Sequence, residues 1–210
     1  MSTGDPLGNV RVLVVDDDEA LGSLTATFLD RQRESFEVST ATSGTDALSI
    51  LETESVDCVV SDYEMPGMDG IELLRTVRDH DAKLAFILYT ARGSEEVASE
   101  AISAGVTDYL QKGTGSERYA LLANRIEHAV RQRRAERIAT ETQRRLEEVT
   151  GHTNDVLYMF DGEFSELLFV NDAYEQVYGQ SVETVESDPQ AFMECIHPED
   201  REQVAEGVAR

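Results

Sequence analysis

The sequence predicts an α/β fold in which a five-stranded parallel sheet is covered by helices on both faces. Short apolar runs rich in β-branched residues recur five times, and helical patterns lie between successive runs. Runs of this kind are typical of strands that are buried on both faces. Strands that alternate with helices are joined by right-handed crossovers, which make the sheet parallel. Functional side chains are then expected at the carboxyl ends of the strands.

The elements of this sheet follow one another along the first half of the chain. The predicted strands are Val10–Val15, Phe36–Thr40, Cys58–Val60, Leu84–Tyr89 and a short fifth strand, Asp108–Gln111. Between them, apolar residues recur at helical spacing. These groups are Leu21, Leu24 and Phe28; Ala47, Leu48 and Leu51; Ile71, Leu73, Leu74 and Val77; and Val97, Ala98 and Ala101.

A long helix is predicted to follow the sheet, from Glu117 to about Val149. This stretch has neither Gly nor Pro and is rich in strong helix formers. Its first part carries three apolar residues that would dock on the sheet, Leu122, Ile126 and Ala129. Later apolar positions are too sparse for a clear heptad seam. A solvated linker helix and a dimerising signal helix therefore both remain open.

The pattern changes again beyond the long helix. Two short apolar runs, Val156–Phe160 and Leu167–Val170, are separated by Asp161-Gly162 and predict a hairpin. Two helices are predicted after it, at Ala173–Tyr178 and Pro189–Ile196. A second domain is therefore expected in this part of the chain.

The composition limits the classes of partner and location. The net charge is -24, from 42 acidic and 18 basic residues, and such a surface repels nucleic acid and anionic membranes. The chain has no long apolar run and no signal peptide, which predicts a cytoplasmic protein. The two cysteines, Cys58 and Cys195, are too few for a disulfide framework and are expected to be buried thiols. The acidic composition, with lysine only at 83 and 112, is similar to that of proteins from salt-loving microbes.

Carboxylates follow two of the predicted strands directly. Asp16, Asp17 and Asp18 come after the first strand, and Asp62 comes at the end of the third. If these strands are neighbours, Asp62 faces Asp16 and Asp17 at the same edge of the sheet. Oxygen ligands of this kind suit Mg²⁺, which keeps several waters and leaves a position for a phosphoryl oxygen. A solvated helix cap is the alternative for the three consecutive aspartates.

Two further polar side chains are expected at the same edge. Thr90 ends the fourth strand and Lys112 follows the fifth. A hydroxyl and an ammonium group would then join the carboxylates. Because Lys112 is one of only two lysines in the chain, its position argues for a role in the site rather than on a solvated surface.

These residues resemble the receiver domain family over about residues 9–130. The motifs are Val-Val-Asp16-Asp17, Asp62 before Met65-Pro66-Gly67-Met68-Asp69-Gly70, Thr90-Ala91, and Asp108-Tyr109-Leu110-Gln111-Lys112. The resemblance implies a flavodoxin-like sheet with strand order 2-1-3-4-5. It also implies that Asp62 accepts a phosphoryl group from a phosphohistidine. Asp17 and Asp62 would bind Mg²⁺ directly with the backbone carbonyl of Glu64, and Asp16 would act through water.

The resemblance extends to signalling residues. Thr90 and Lys112 would grip the phosphoryl oxygens, and Thr90 would move as Tyr109 rotates inward. This change would alter the face made by the fourth helix, fifth strand and fifth helix. Tyr109 as an ordinary half-buried strand aromatic is the alternative. Gly113 stands where the family often has proline, which leaves the usual cis bond and the rigidity of that loop open.

Residues 152–200 resemble the first half of a PAS domain. The matching stretches are Asn154–Asp161, Leu168–Tyr174 and Ile196–Asp200. The expected organisation is a receiver domain at 1–130, a helical linker at 131–151 and a partial PAS-like domain at 152–210. Further strands are expected beyond Arg210, so the chain is expected to be part of a longer protein or an incomplete module. The expected organisation resembles that of receiver–PAS signalling proteins of halophilic archaea.

The function implied is that of a response regulator in two-component signalling. A histidine kinase or phosphotransfer protein would be the partner, and the chain would be a self-dephosphorylating phosphoacceptor rather than an enzyme. A homodimer through the helix–strand–helix face or the linker helix is a further partner that this interpretation allows.

Three other functions are alternatives to the response regulator. The first is a receiver–PAS fragment of a larger sensor or hybrid histidine kinase. The second is a Mg²⁺-dependent phosphohydrolase with an aspartyl nucleophile, which needs an acid where Glu64 gives only a loose match. The third is a flavin or nucleotide carrier, which needs a phosphate-cradling loop where the three aspartates stand.

Overall fold

The computed structural model describes residues 8–91, 94–113, 115–151, 155–161, 166–188, 191, 196–199 and 201. The chain divides into two compact units, Met1–Arg137 and Ile138–Arg210. Among the described residues, none of the helices combines the length and the apolar character that crossing a membrane requires.

The first unit contains a five-stranded sheet. Its strands are β1 (Val10–Val15), β2 (Phe36–Ala41), β3 (Cys58–Ser61), β4 (Ala85–Thr90) and β5 (Asp108–Gln111). All neighbours pair in parallel, in the order β2-β1-β3-β4-β5. The predicted fold class and strand order are therefore confirmed, and each predicted strand is present with its ends displaced by no more than a residue.

Helices cover both faces of this sheet. They are α1 (Glu19–Gln32), α2 (Gly44–Thr53), α3 (Gly70–His80), α4 (Glu95–Ser103) and α5 (Glu117–Gly151). The side chains of a strand point alternately to opposite faces, so β1 contributes to two cores. Val12 and Val14 pack with Leu29 of α1 and with α5, whereas Leu13 and Val15 pack with α2, α3 and α4.

Helix α1 buries a different face from the one that its leucines suggest. Leu21 and Leu24 are 42% and 41% exposed, and the helix turns Thr25 and Leu29 into the core instead. Gly22 is buried on the same face, where an added Cβ would be in ordinary van der Waals contact with Cβ of Asp16, 3.5 Å away. The buried face of α1 therefore consists of Gly22, Thr25, Ala26 and Leu29.

The second unit contains the predicted hairpin. Strands β6 (Tyr158–Phe160) and β7 (Leu167–Val170) pair in an antiparallel manner and are followed by α6 (Ala173–Tyr178) and α7 (Val182–Ser187). The sequence analysis did not predict α7. Of the predicted helix Pro189–Ile196, only Ala191 and Ile196 lie within the described residues.

A buried polar residue joins the two strands of this hairpin. The side chain of Asn171 accepts a hydrogen bond from the N–H of Leu157 at 2.9 Å and donates one to the carbonyl of Asp155 at 3.0 Å. Tyr174 and Val185 form the centre of a small apolar core beside it.

The cysteines of the chain fall into different regions. Cys58 is fully buried in β3, and this burial raises the pKa of its thiol well above the usual range, so it is an unreactive core residue. Cys195 lies outside the described residues.

Candidate functional site

The pairing of β1 with β3 brings the acidic residues together. Val15 and Ser61 are partners in the sheet, so Asp16 and Asp62 follow at adjacent positions. The N–H of Asp62 donates to the carbonyl of Val15 at 2.8 Å, which extends the pairing by one residue. Carboxylate oxygens of Asp16, Asp17 and Asp62 lie within 4.8 Å of one another. The edge of the sheet thus holds an oxygen-rich cluster of the kind that binds hard cations.

The three consecutive aspartates have different surroundings. Asp18 is the N-cap of α1 and accepts hydrogen bonds from the N–H groups of Ala20 and Leu21. Asp16 is only 3% exposed, whereas Asp17 is exposed. The helix-cap interpretation therefore applies to Asp18, and the other two carboxylates belong to the cluster.

Lys112 lies between two of these carboxylates. Its Nζ donates to Oδ2 of Asp16 at 2.7 Å and to Oδ2 of Asp62 at 2.8 Å. Its backbone N–H donates to the carbonyl of Thr90 at 2.7 Å, so the pairing of β4 with β5 continues to Lys112 and fixes the start of its side chain. The same ammonium group lies 5.9 Å from the centre of the Tyr89 ring.

The pKa values of Asp16 and Lys112 reflect burial and charge together. Burial raises the pKa of Asp16 above its ordinary value, although the hydrogen bond from Lys112 acts in the opposite direction. Burial lowers the pKa of Lys112, but its hydrogen bonds to Asp16 and Asp62 outweigh burial and raise that pKa. The pKa of Asp16 stays raised because one ammonium, shared between two carboxylates, does not replace the hydration that Asp16 loses. The cluster therefore favours a further cation.

Thr90 and Glu64 stand at the same edge. Thr90 ends β4, between β3 and β5, and is 1% exposed. Glu64 follows Asp62 by two residues, and its side chain is exposed. The strand order thus places the ends of β1, β3, β4 and β5 together, as the sequence analysis expected of Asp16, Asp62, Thr90 and Lys112. The metal ligands and the roles of these residues stay predictions.

Tyr109 lies in β5 and packs on the α2, α3 and α4 side of the sheet. The residue is half-buried, and its hydroxyl is buried with no hydrogen-bond partner within the described part of the chain. The structure describes no cis peptide bond in the loop after β5, where Gly113 lies.

The sequence analysis assigned no role to Gly70, which the structure places against Asp62. An added Cβ at Gly70 would lie 2.2 Å from the backbone oxygen of Asp62 and 2.8 Å from Cδ2 of Leu88. The N–H of Gly70 also donates to the carbonyl of Tyr63 at 2.9 Å, closing the loop that follows Asp62. The sequence feature that marks this glycine is the turn Met68-Asp69-Gly70, in which Asp69 forms the capping box of α3.

Gly70→Ala is expected to displace the backbone of Asp62 and to lower stability by about 1–3 kcal/mol, because no side chain fits the space. Urea unfolding measures this change. Gly113→Ala is the matched control, since an added Cβ there meets nothing within 4 Å and the residue has no positive φ. Equal midpoints for the two variants would contradict the close approach at Gly70.

Tyr89 is a second residue without a predicted role. Its hydroxyl is buried without a partner among the described residues, and burial raises the pKa of Tyr89 to about 12. It packs in the core under α1 and α5, on the side opposite Tyr109. No sequence signal distinguishes it from an ordinary aromatic residue of a buried strand.

Comparisons with known proteins agree with this geometry. Residues 12–124 match the family model of the response regulator receiver domain, and residues 167–210 match that of a PAS fold. A CheY-like receiver domain protein from Methanospirillum hungatei JF-1 superposes with a TM-score of 0.56 at 26% identity, covering 61% of this chain and 99% of that protein. A receiver domain protein from Clostridium thermocellum gives 0.54 at 27% identity, covering 60% and 98%.

The curated relatives are longer proteins, and only a part of each one matches this chain. The heme response regulator HssR of Staphylococcus epidermidis is 38% identical over 103 residues, covering 49% of this chain and 45% of HssR. The sensor kinase/phosphatase CqsS of Vibrio cholerae is 33% identical over 105 residues, covering 49% of this chain and 15% of CqsS. The chain thus spans less than half the length of these relatives. The sheet order and the carboxylate cluster agree with the family match over residues 12–124. The chain therefore belongs to the response regulator receiver domain family.

Proposed function

We propose that this chain is a phosphoacceptor of two-component signalling, in which Asp62 accepts a phosphoryl group from a phosphohistidine in a Mg²⁺-dependent reaction. The donor would be a histidine kinase or a phosphotransfer protein. One observation supports the proposal most: carboxylates of Asp16, Asp17 and Asp62 converge within 4.8 Å, with Lys112 bridging Asp16 and Asp62. The relatives named as response regulators, and one as a sensor kinase, support it from outside the structure.

The transfer requires positioning and charge neutralisation. An Oδ atom of Asp62 attacks phosphorus, the new O–P bond forms, and the P–N bond breaks with its electron pair going to the imidazole. Asp17, Asp62 and the backbone carbonyl of Glu64 would hold Mg²⁺, with Asp16 acting through water. When bound, the ion would supply charge neutralisation for the phosphoryl oxygens. The ammonium of Lys112 donates to Asp62 in the structure. After the transfer it would donate to an oxygen of the phosphoryl group, where the negative charge then lies.

The product would be an aspartyl phosphate, which is a mixed anhydride. Water hydrolyses such a bond at phosphorus, so the chain would return to its starting state without a separate enzyme. We infer that the chain is a self-resetting phosphoacceptor and that any kinase activity belongs to its partner.

The signal would leave the site through Thr90 and Tyr109. Thr90 would donate its hydroxyl to a phosphoryl oxygen, and Tyr109 would move to an alternative position in the face formed by α4, β5 and α5. We propose a homodimer through this face, to which the exposed side chains of Ile102 in α4 (69%) and Leu121 in α5 (47%) would contribute. Helix α5 continues toward the PAS region and would carry the change there.

A receiver within a larger sensor or hybrid kinase is the second candidate. The match to the sensor kinase/phosphatase CqsS favours it, because a receiver-like part there belongs to a kinase chain. The chemistry proposed for Asp62 is the same in both cases. The two candidates differ in whether the phosphohistidine stands on the same polypeptide or on a separate one.

The proposal predicts one phosphoryl group per chain, gained only with Mg²⁺. Intact mass is recorded after incubation with acetyl phosphate in high salt, which suits the acidic, lysine-poor composition that we take as a sign of a salt-loving source. EDTA should prevent the gain. Asp17→Asn should raise the Mg²⁺ concentration needed by at least about tenfold, because it replaces a charged ligand by a neutral amide.

The control is Asp30→Asn, which removes an exposed carboxylate of α1 far from the cluster in sequence. A gain of mass that persists in EDTA would contradict the metal requirement. Continuous turnover of a phosphate monoester, instead of a single adduct, would favour the phosphohydrolase alternative.

A further inference from the structure

Helix α5 leaves the core of the first unit after Val130. Leu122, Ile126 and Val130 are essentially fully buried, whereas residues 131–137 are exposed or half-exposed. A cavity of about 700 Å³ lies between this turn and the amino-terminal ends of the strands, lined in part by Arg133, Arg134, Val130, Leu51, Val56 and Leu84. Apolar packing therefore does not hold the turn that follows Val130.

Two carboxylates hold this turn instead, together with the backbone oxygen of Asn9, which accepts a hydrogen bond from Arg134 at 2.9 Å. Arg134 pairs with Asp57, with Nη2 and Oδ2 3.1 Å apart, and Arg133 pairs with Asp81 at 2.5 Å. Arg133 also donates to the backbone oxygen of Asp57 at 3.4 Å. We call Asp57 and Asp81 the carboxylate clamp.

Asp57 is the more enclosed half of the clamp. Its side chain is 18% exposed and accepts the backbone N–H of Arg11 at 3.0 Å. Burial raises the pKa of Asp57, but the hydrogen bonds and charges of Arg11 and Arg134 outweigh burial and bring that pKa below its ordinary value. Asp57 is therefore ionised at neutral pH and is fixed to β1 as well as to α5.

We propose that the carboxylate clamp is a releasable contact that determines where α5 becomes independent of the receiver domain. Partly exposed ion pairs are weak in comparison with apolar burial, so the turn at 131–137 detaches while the core under Val130 stays intact. When the clamp is formed, α5 is held against the receiver domain as far as Arg137. When the clamp is released, α5 is held only as far as Val130.

The clamp stands at the opposite end of one strand from the phosphoacceptor. Asp57 directly precedes β3 and Asp62 directly follows it, and all four residues of β3 are buried. This buried strand connects the two positions as one packed element. We infer that phosphorylation changes the occupancy of the clamp; this second part rests on the proposed function.

Amide hydrogen exchange of the whole chain tests the clamp. Asp57→Asn with Asp81→Asn removes both charges but keeps the size of each side chain and an oxygen that accepts the N–H of Arg11 and of Lys83. In the wild type, slow exchange should extend to about Arg137. In the double variant it should end near Val130, with exchange of 131–137 about tenfold faster.

Three comparisons make this result specific. Slow exchange in β1 and β4 shows that the double variant is folded. Glu141→Gln is the matched control, since it removes a carboxylate that pairs with Arg145 within the same helix. Asp81→Arg combined with Arg133→Asp should restore the protection that either change alone removes. Unchanged exchange in the double variant, or wild-type protection that already ends at Val130, would overturn the clamp.

A phosphodonor then tests the coupling. Exchange of 131–137 should change when intact mass shows one added phosphoryl group, and should not change in Asp62→Asn. An adduct without a change in exchange overturns the coupling and leaves the proposed function standing. A missing adduct counts against the proposed function, and the clamp is then judged by the variants alone.

Discussion

Asp62→Asn is expected to abolish the gain of a phosphoryl group. The amide has nearly the size of the carboxylate but is not a nucleophile toward phosphorus. It also removes one of the two carboxylates that Lys112 bridges, and with it one of the three carboxylates of the cluster. Intact mass recorded over time with Mg²⁺ and acetyl phosphate measures the effect, which should exceed that of any other single change.

The control for this variant is Asp79→Asn, which lies on the exposed side of α3. It should take up the phosphoryl group at the wild-type rate. Asp62→Asn relieves repulsion among three carboxylates, so it is expected to remain folded, and a thermal melt checks this. A full adduct on folded Asp62→Asn would show that another residue is the acceptor.

Lys112→Met is expected to slow phosphoryl uptake by about tenfold to a hundredfold, the usual worth of a hydrogen bond to a charged group. Lys112 is the cation that contacts both Asp16 and Asp62. Methionine keeps the length and apolar volume of the side chain but removes the ammonium. The rate of adduct formation at fixed Mg²⁺ measures the loss.

The sequence contains a natural control for this change. Lys83→Met removes the other lysine, which is exposed and lies before β4. It should leave the rate unaltered, although the change in net charge is the same. Lys112→Arg should recover part of the rate, because the charge remains while the compact ammonium is lost. Equal rates for Lys112→Met and Lys83→Met would exclude Lys112 from the transfer.

The strands were predictable because their signal is local. Val10–Val15 contains four valines and a leucine and is interrupted only by Arg11, a pattern typical of a strand buried on both faces. The convergence of Asp16, Asp62, Thr90 and Lys112 was predictable for a related reason. The carboxyl ends of parallel strands meet at one edge of the sheet. Residues that directly follow different strands could therefore be inferred to lie together without coordinates.

The features that were missed depend on contacts distant in sequence. The leucines of α1 suggested a buried face, but Gly22, Thr25, Ala26 and Leu29 form the buried face instead. Helix α7 is only six residues long, too short for a clear period. Asp57 looks like any acid beside a strand, because its partner Arg134 lies far along the chain. Such pairings require the fold.

The central claim is that Asp62 itself carries the phosphoryl group, and chemical reduction of the modified protein tests it most directly. Borohydride reduces an aspartyl phosphate to homoserine, and peptide mass spectrometry then locates the altered residue. The account predicts homoserine at position 62 in the wild type treated with Mg²⁺ and acetyl phosphate, and none without Mg²⁺. Reduction at Asp16 or Asp17 instead, or a phosphoryl group on a histidine, would contradict it.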